Sequence, residues 1–269
     1  MTRQVRSHAF VLAALVYCTI TWTGLSQYKV TSVRGGGSIR GRVLLTPGSR
    51  QVEGLSITKD DAVCGSTPSR ARLELGVDGG VVNAVVYLKE IRAGKKFEVS
   101  RRPALNQHGC EFSPHVQLLQ QNDPLVIVNN DGVLHNVHAY DFERNLKTLF
   151  NIAQPIKGLK ARIDVAQFRD AKFVMVTCDA GHPWMTAFLV REDHPYYAVT
   201  DKRGNFRIDD IPPGTYTLAL WHEGVNIVRR EMEKGKVTRY AFEEPYTQSH
   251  PVVVPPRGSV QTEFEITLR

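Results

Sequence analysis

Between Phe173 and Val190 the chain reads as strand, tight loop, strand, a pattern that suits a rigid β scaffold. In Phe173-Val174-Met175-Val176-Thr177-Cys178 a period of two puts Val174, Val176 and Cys178 on one face. Beyond the loop, Ala187-Phe188-Leu189-Val190 is apolar again. The loop, Cys178 to Met185 (CDAGHPWM), offers a thiol, an imidazole and a thioether in close succession. A second apolar run, Leu125-Val126-Ile127-Val128, leads into Asn129–Asp141 (NNDGVLHNVHAYD), so His135 also sits just beyond a strand. Two His, one Cys and a weak axial Met make the donor set of an electron-transfer copper site. Cys and Met are soft donors that suit Cu(I), and imidazole suits Cu(II), so both oxidation states are held. Alone, Cys178 reads as a buried thiol; beside His182 and Met185, with His135 on its own loop, it reads as a ligand.

No long stretch carries a sustained apolar period of 3.6 residues, so the expected fold class is all-β. Ile39–Leu45 is a strand candidate ended by Pro47-Gly48, and Val81–Leu88 (VVNAVVYL) follows the Gly79-Gly80 turn. Residues 54–75 are irregular and polar. Asp164–Ala171 has the look of a short helix. After Val190 short alternating runs recur between turn signals. Asn205–Asp209 lies between Lys202-Arg203-Gly204 and Pro212-Pro213-Gly214, and Tyr216, Leu218 and Leu220 share a face of the next strand. Val260, Thr262, Phe264, Ile266 and Leu268 alternate in a last strand, and the whole argues for a β-sandwich.

Arg3 and Arg6 precede an apolar run from about Ala9 to Trp22, followed by Gly24-Leu25-Ser26. Residues 1–26 therefore read as a secretory signal, with an uncleaved N-terminal membrane anchor as the other possibility. Export places the chain in a periplasmic or other extracytoplasmic compartment. Without Cys18, three cysteines remain, and a Cys64–Cys110 disulfide with a metal-bound Cys178 accounts for all of them. The net charge is +7, or +5 without residues 1–26, which carry two Arg and no acids. Basic pairs such as Arg101-Arg102 and Arg229-Arg230 lack the interleaved aromatics of a single-strand binder, so no nucleic-acid partner is expected. There is no Gly-x-Ser-x-Gly elbow, and no His-x-His pair to mark a further copper centre, so the chain is not expected to be an enzyme. Only four Met argue against a Met-rich copper chaperone.

Several of these segments carry a resemblance. NNDGVLHNVH resembles the Asn-rich first ligand loop of cupredoxins, and GHPWM is similar to the His-Pro-aromatic-Met end of their amicyanin-type members. Phe112-Ser113-Pro114 is similar to the Phe-x-Pro segment upstream of that first loop. The resemblance implies one copper ion held by His135, Cys178, His182 and Met185, with electrons passing through an exposed edge of His182. It also implies that Asn136 ties the two ligand loops together, and a c-type cytochrome or quinoprotein as redox partner. By position, His138 reads as an alternative or additional ligand or as a residue beside the site. Trp184, inside the ligand loop, reads as an aromatic that excludes water, forms part of a docking surface or simply packs. One departure stands out: the loop reads C-x3-H-x2-M, one residue longer before the His than in amicyanins. Ala198–Glu223 (AVTDKRGNFRIDDIPPGTYTLALWHE) is similar to carboxypeptidase regulatory-like (transthyretin-like) modules. The combination resembles exported plastocyanin-like or methylamine-utilisation proteins.

The expected organisation is a signal or anchor over 1–26, a linker over 27–37 that takes in all of Val33–Ser38 (VRGGGS) but its last residue, and an N-terminal β segment over 38–79. A cupredoxin-like Greek-key β-sandwich over 80–192 and a second, smaller β-sandwich over 193–269 follow. Gly41-Arg42-Val43 suits the opening strand of a regulatory-like module, which would let 38–79 complete the second sandwich.

Overall fold

Strands form where the apolar runs predict them, and the alternation of their side chains decides how the sheets stack. The computed structural model describes residues 28–268 except 50–51, 53, 67–68, 70–71, 98–102, 121–123, 165 and 167–169. In chain order the strands begin with β1 (Lys29–Val30), β2 (Gly37–Leu45), β3 (Val85–Lys89), β4 (Ala93–Gly94), β5 (Ala104–His108), β6 (Glu111–Ser113) and β7 (Val116–Leu119). They continue with β8 (Leu125–Asn129), β9 (His135–Asp141), β10 (Lys147–Gln154), β11 (Lys160–Ile163), β12 (Phe173–Cys178) and β13 (His182–Arg191). The remainder are β14 (Tyr197–Val199), β15 (Asn205–Ile211), β16 (Gly214–His222), β17 (Ile227–Glu233), β18 (Lys236–Phe242), β19 (Tyr246–Val254) and β20 (Ser259–Ile266). A short helix, α1 (Asp61–Cys64), interrupts the segment between β2 and β3.

The chain is all-β and builds two sandwiches. In the first, the sheet β10-β9-β12-β13-β7 faces the sheet β11-β8-β5-β6 across a core that includes Leu105, Ile127, Val137, Val174, Val176 and Leu189. In the second, β14-β3-β16-β19 faces β15-β2-β20 across Ile39, Val86, Leu88, Ile208, Leu220 and Phe264. A third apolar layer joins them. Phe173, Met175, Phe188 and Val190 of the first sandwich meet Val85, Tyr87, Ala219 and Trp221 of the second, with Phe173 stacked on Trp221 at 4.4 Å. Alternate residues of β12 and β13 thus enter two different cores, which is why both strands read as near-continuous apolar runs.

Two sequence expectations change. Val81–Leu88 was expected to open the first sandwich, but β3 pairs with β16 (Tyr87 opposite Ala219) and β14 (Tyr87 opposite Tyr197) in the second. Its apolar residues fit either assignment; the cross-strand partners, far along the chain, decide. Both β2 and β3 therefore belong to the second sandwich, and the first is inserted between β3 and β14. The VRGGGS stretch is not a free linker. Gly37 opens β2, and a Cβ there would lie 2.5 Å from Val254 Cγ1 and 2.6 Å from the Pro255 carbonyl, so glycine is needed for close packing. The expected signal or anchor over 1–26 lies outside the described residues, and so do residues 165 and 167–169 of the expected helix over Asp164–Ala171. Among the described residues no helix is long and apolar enough to cross a membrane.

A buried charge network stands at the junction. The Arg72 guanidinium pairs with Glu223, as does the His115 ring, and both Arg72 and Glu223 are almost wholly buried. Arg72 also donates to the Gly224 carbonyl (3.1 Å) and Thr186 Oγ1 (2.9 Å), and lies 3.6 Å over the Phe242 ring. Burial alone would raise the Glu223 carboxyl; the charges of Arg72 and His115 outweigh it and hold the group below the usual carboxylate range. Removing one partner of such a pair strands the other charge. Arg72→Met is expected to cost about 3–5 kcal/mol in chemical denaturation, and adding Glu223→Gln should recover part of that loss.

His194 is buried near Tyr28 and accepts a hydrogen bond from the Tyr196 N–H (3.2 Å). Burial, helped by the Lys172 charge, lowers its pKa from 6.5 to about 4. The folded protein keeps this ring neutral where the unfolded chain protonates it, so stability is lost as the pH falls through 6.5 towards about 4. His194→Gln should flatten that part of the stability profile by up to about 3 kcal/mol in denaturation series across this pH range.

Candidate metal centre

The two ligand segments meet because β9 and β12 are neighbours in one sheet, with Thr177 opposite His138. At the end of β12 the ladder with β13 shifts: Thr177 pairs with Thr186, whereas Cys178 pairs with His182. Pro183, Trp184 and Met185 are extra to the ladder, and proline tolerates such an irregularity because it has no N–H to contribute. The shift turns His182 back over Cys178. His135 Nδ1 and His182 Nδ1 lie 3.8 and 3.6 Å from Cys178 Sγ, and the two rings are 4.7 Å apart at their centroids. The three donor atoms lie within 4.8 Å of one another, and all three side chains are buried.

Carboxylates set the outward edge of each ring. Asp131 Oδ2 is 2.9 Å from His135 Nε2, and Asp60 Oδ2 is 2.9 Å from His182 Nε2. A carboxylate at Nε2 holds the proton there and leaves Nδ1 free to act as a donor towards the cluster. Asp131 is itself fixed: its carboxylate accepts the N–H groups of Gly109 (2.8 Å) and Cys110 (2.9 Å), and its own N–H donates to Asn129 Oδ1 (2.9 Å). Burial would raise the Asp131 carboxyl, but the Cys110 N–H, the His135 ring and the Gly109 N–H together keep it below the usual range. Burial, reinforced by His135, lowers His182 to about 4, so its ring is neutral at physiological pH. Burial pushes the Cys178 thiol up to about 11, against the opposing pull of the Asn136 and Ala180 N–H groups. Without a cation the sulfur keeps its proton; a bound metal would displace it.

The other expected residues fall around this cluster. Met185 is buried in the same core as Cys178 and Ala187. Asn136 Oδ1 accepts the Ala180 N–H (2.8 Å), a direct bond between the two loops, and its Nδ2 donates to Asn151 (2.9 Å). His138 does not join the cluster. Its ring contacts Asp179, Thr148 and Tyr140 on the opposite face of the sheet. Trp184 is buried, stands edge-on to His182 at 5.2 Å and donates to the Cys110 carbonyl (3.1 Å), so it packs behind the site. Cys64 and Cys110 are joined by a disulfide, and among the described residues Cys178 is the free cysteine. The expected exposed edge of His182 is absent: the side chain has no solvent exposure because Asp60 and the disulfide cover it. Sequence reading missed Asp131 and Asp60. The first sits four residues before His135 inside the quoted loop; the second comes from the irregular 54–75 stretch and carries no local signal.

The donors fit a transition metal. Separations of 3.6 and 3.8 Å between sulfur and nitrogen suit ligands that each approach one ion at about 2.0–2.3 Å. A thiolate with two neutral imidazoles in a water-poor setting suits copper and also admits zinc.

Comparison with known proteins adds the following. A family model described as polysaccharide lyase family 4, domain II, matches residues 173–238, which run from β12 into β18. No curated protein sequence matches the chain. Among solved structures the chain is similar to a purple cupredoxin from Nitrosopumilus maritimus, at 18% identity over 34% of this chain and 99% of that one, with a TM-score of 0.28. It is similar to a reduced amicyanin point mutant at 15% identity, over 40% and 98% of the two chains, with a TM-score of 0.28. It is also similar to the copper-containing nitrite reductase of Thermus scotoductus at 18% identity, over 36% and 24%, with a TM-score of 0.28. Identities and scores this low assign neither a family nor an activity to the chain.

The bond from Asn136 to Ala180 is one of the side-chain links between the two ligand segments, beside the contacts of His138 and Tyr140 with Asp179. Asn136→Ala should lower stability by about 1–2 kcal/mol in thermal or chemical unfolding, with the far-ultraviolet β signature unchanged.

Proposed function

We propose that this chain is an exported mononuclear copper protein that carries single electrons. One observation carries the reading: the Nδ1 atoms of His135 and His182 converge on Cys178 Sγ in a buried cluster. His135, Cys178 and His182 would hold the ion, with Met185 as the weak fourth donor from the same core. Copper bound there would alternate between Cu(I) and Cu(II).

The protein's part is to fix the donors and exclude water. Asp131 and Asp60 orient the two rings, Asn136 locks the loops, and Trp184 fills the space behind His182. A site held this firmly changes little between oxidation states, which suits rapid electron transfer. It also leaves no face for a substrate to enter, and so favours a carrier over a catalyst. Cys178 continues directly into Asp179, whose half-exposed carboxylate touches His138 and Tyr140, and electrons would reach a partner through this short covalent path. A c-type cytochrome or quinoprotein partner and a periplasmic setting are carried by the resemblance of the two ligand segments. The second sandwich, with its regulatory-like Ala198–Glu223 segment, would position the copper domain. Copper storage without electron transfer is the competing reading, and the burial of all three donors disfavours ready delivery.

Adding Cu(II) to the protein, desalting it and recording visible and EPR spectra tests this reading. An intense charge-transfer band that survives desalting, bleaches on mild reduction and is missing in Cys178→Ser is expected. Protein that retains no copper would sink the proposal, whereas retained copper without the band would favour storage.

A further inference from the structure

The added residue in the ligand loop and the irregular stretch 54–75 meet at one place. Lys59 Nζ donates to the Ala180 carbonyl (2.7 Å), in the middle of the loop between Cys178 and His182. Gly181 has a φ of +93°, and a Cβ on it would come within 2.8 Å of Lys59 Cδ, so a glycine there lets the Lys59 side chain lie flat on the loop. Asp60 reaches His182 Nε2 at 2.9 Å from a left-handed backbone conformation (φ 55°, ψ 37°), uncommon for a side-chain-bearing residue. α1 follows at once and ends in Cys64, disulfide-bonded to Cys110, with both sulfurs within 4.8 Å of a His182 ring nitrogen. Cys110 in turn supplies an N–H to Asp131, the residue that holds the other histidine.

We infer that residues 59–64 are a fixed cap on the metal centre and that Asp60 is the positioning residue for His182, so that the metal's hold on this ligand depends on a carboxylate 122 residues away in sequence. This rests on the metal-centre reading above. The cap uses a strained backbone, a charged contact and a covalent staple to bring one carboxylate to one ring edge. Strain of that kind persists only where the surroundings over-determine it. A carboxylate on the far nitrogen of a ligating imidazole makes the ring a better donor and fixes its orientation. The added negative charge favours Cu(II) over Cu(I). The longer C-x3-H loop then has a physical role: its glycine makes room for the cap.

Asp60→Asn is the decisive variant, because asparagine tolerates the left-handed conformation and keeps the shape while removing the charge. Copper affinity by competition with a chelator, redox potential and EPR would be measured on the wild type, Asp60→Asn, Lys59→Met and the control Asp61→Asn. Asp61 is exposed, and its side chain accepts the adjacent Ala62 N–H. Asp60→Asn is expected to weaken Cu(II) binding about 10–100-fold, with a smaller loss for Cu(I). The potential should rise by about 59 mV for each tenfold of that difference. Lys59→Met should speed copper loss to the chelator while leaving the charge-transfer band in place, and Asp61→Asn should match the wild type. A wild type with a thiolate-copper band whose affinity, potential and EPR are unchanged in Asp60→Asn would overturn the cap assignment and leave the copper reading intact. A wild type that binds no copper would overturn both.

Discussion

Strands β12 and β13 are buried on both faces, and the rest of the molecule depends on that constraint. One face of β12 gives Val174, Val176 and Cys178 to the core of the first sandwich; the other gives Phe173 and Met175 to the layer against the second. Fully burying an aliphatic or aromatic side chain is worth roughly 1.5–3 kcal/mol, so a slip of one residue would misplace every such group in two layers at once. The register that fixes the hydrophobic layers therefore also fixes where Cys178 ends its strand. The cluster inherits its precision from packing.

The same junction explains why a charged network tolerates deep burial. Arg72 comes from the segment between β2 and β3, His115 from the approach to β7, and Glu223 from the end of β16. Each is costly alone and acceptable only with the others in place. The network ties Arg72, in the segment between β2 and β3, to both sandwiches, through Thr186 of β13 and through Glu223 beside β16.

Much of the fold was legible because strands are local. Period-two runs such as Val81–Leu88 and Thr215–His222, punctuated by Gly79-Gly80 and Pro212-Pro213-Gly214, mark strands without reference to anything distant. Pairing was not legible. Nothing within Val81–Leu88 says that Tyr87 will face Ala219 and Tyr197, and the VRGGGS stretch looks mobile until Val254 and Pro255 close on Gly37. At the candidate site, His135, Cys178 and His182, whose donor atoms lie within 4.8 Å of one another, came from two short segments whose spacing is itself the signal; Met185 shares their core. Whether His182 would face solvent could not be read there.

The sequence by itself determined the all-β class, the placement of most strands and the chemistry on offer: a thiol, imidazoles and a thioether in two short segments. These are properties of neighbouring residues, set by backbone periodicity and side-chain type. The tertiary structure alone decided that the first sandwich is inserted into the second, that Asp131 and Asp60 hold the far nitrogens of the two histidines, and that a disulfide-anchored segment closes over His182. Contacts between residues far apart in the chain have no local signature. They exist only once burial of the apolar faces has fixed which strands lie side by side, and the distances between polar groups follow from that.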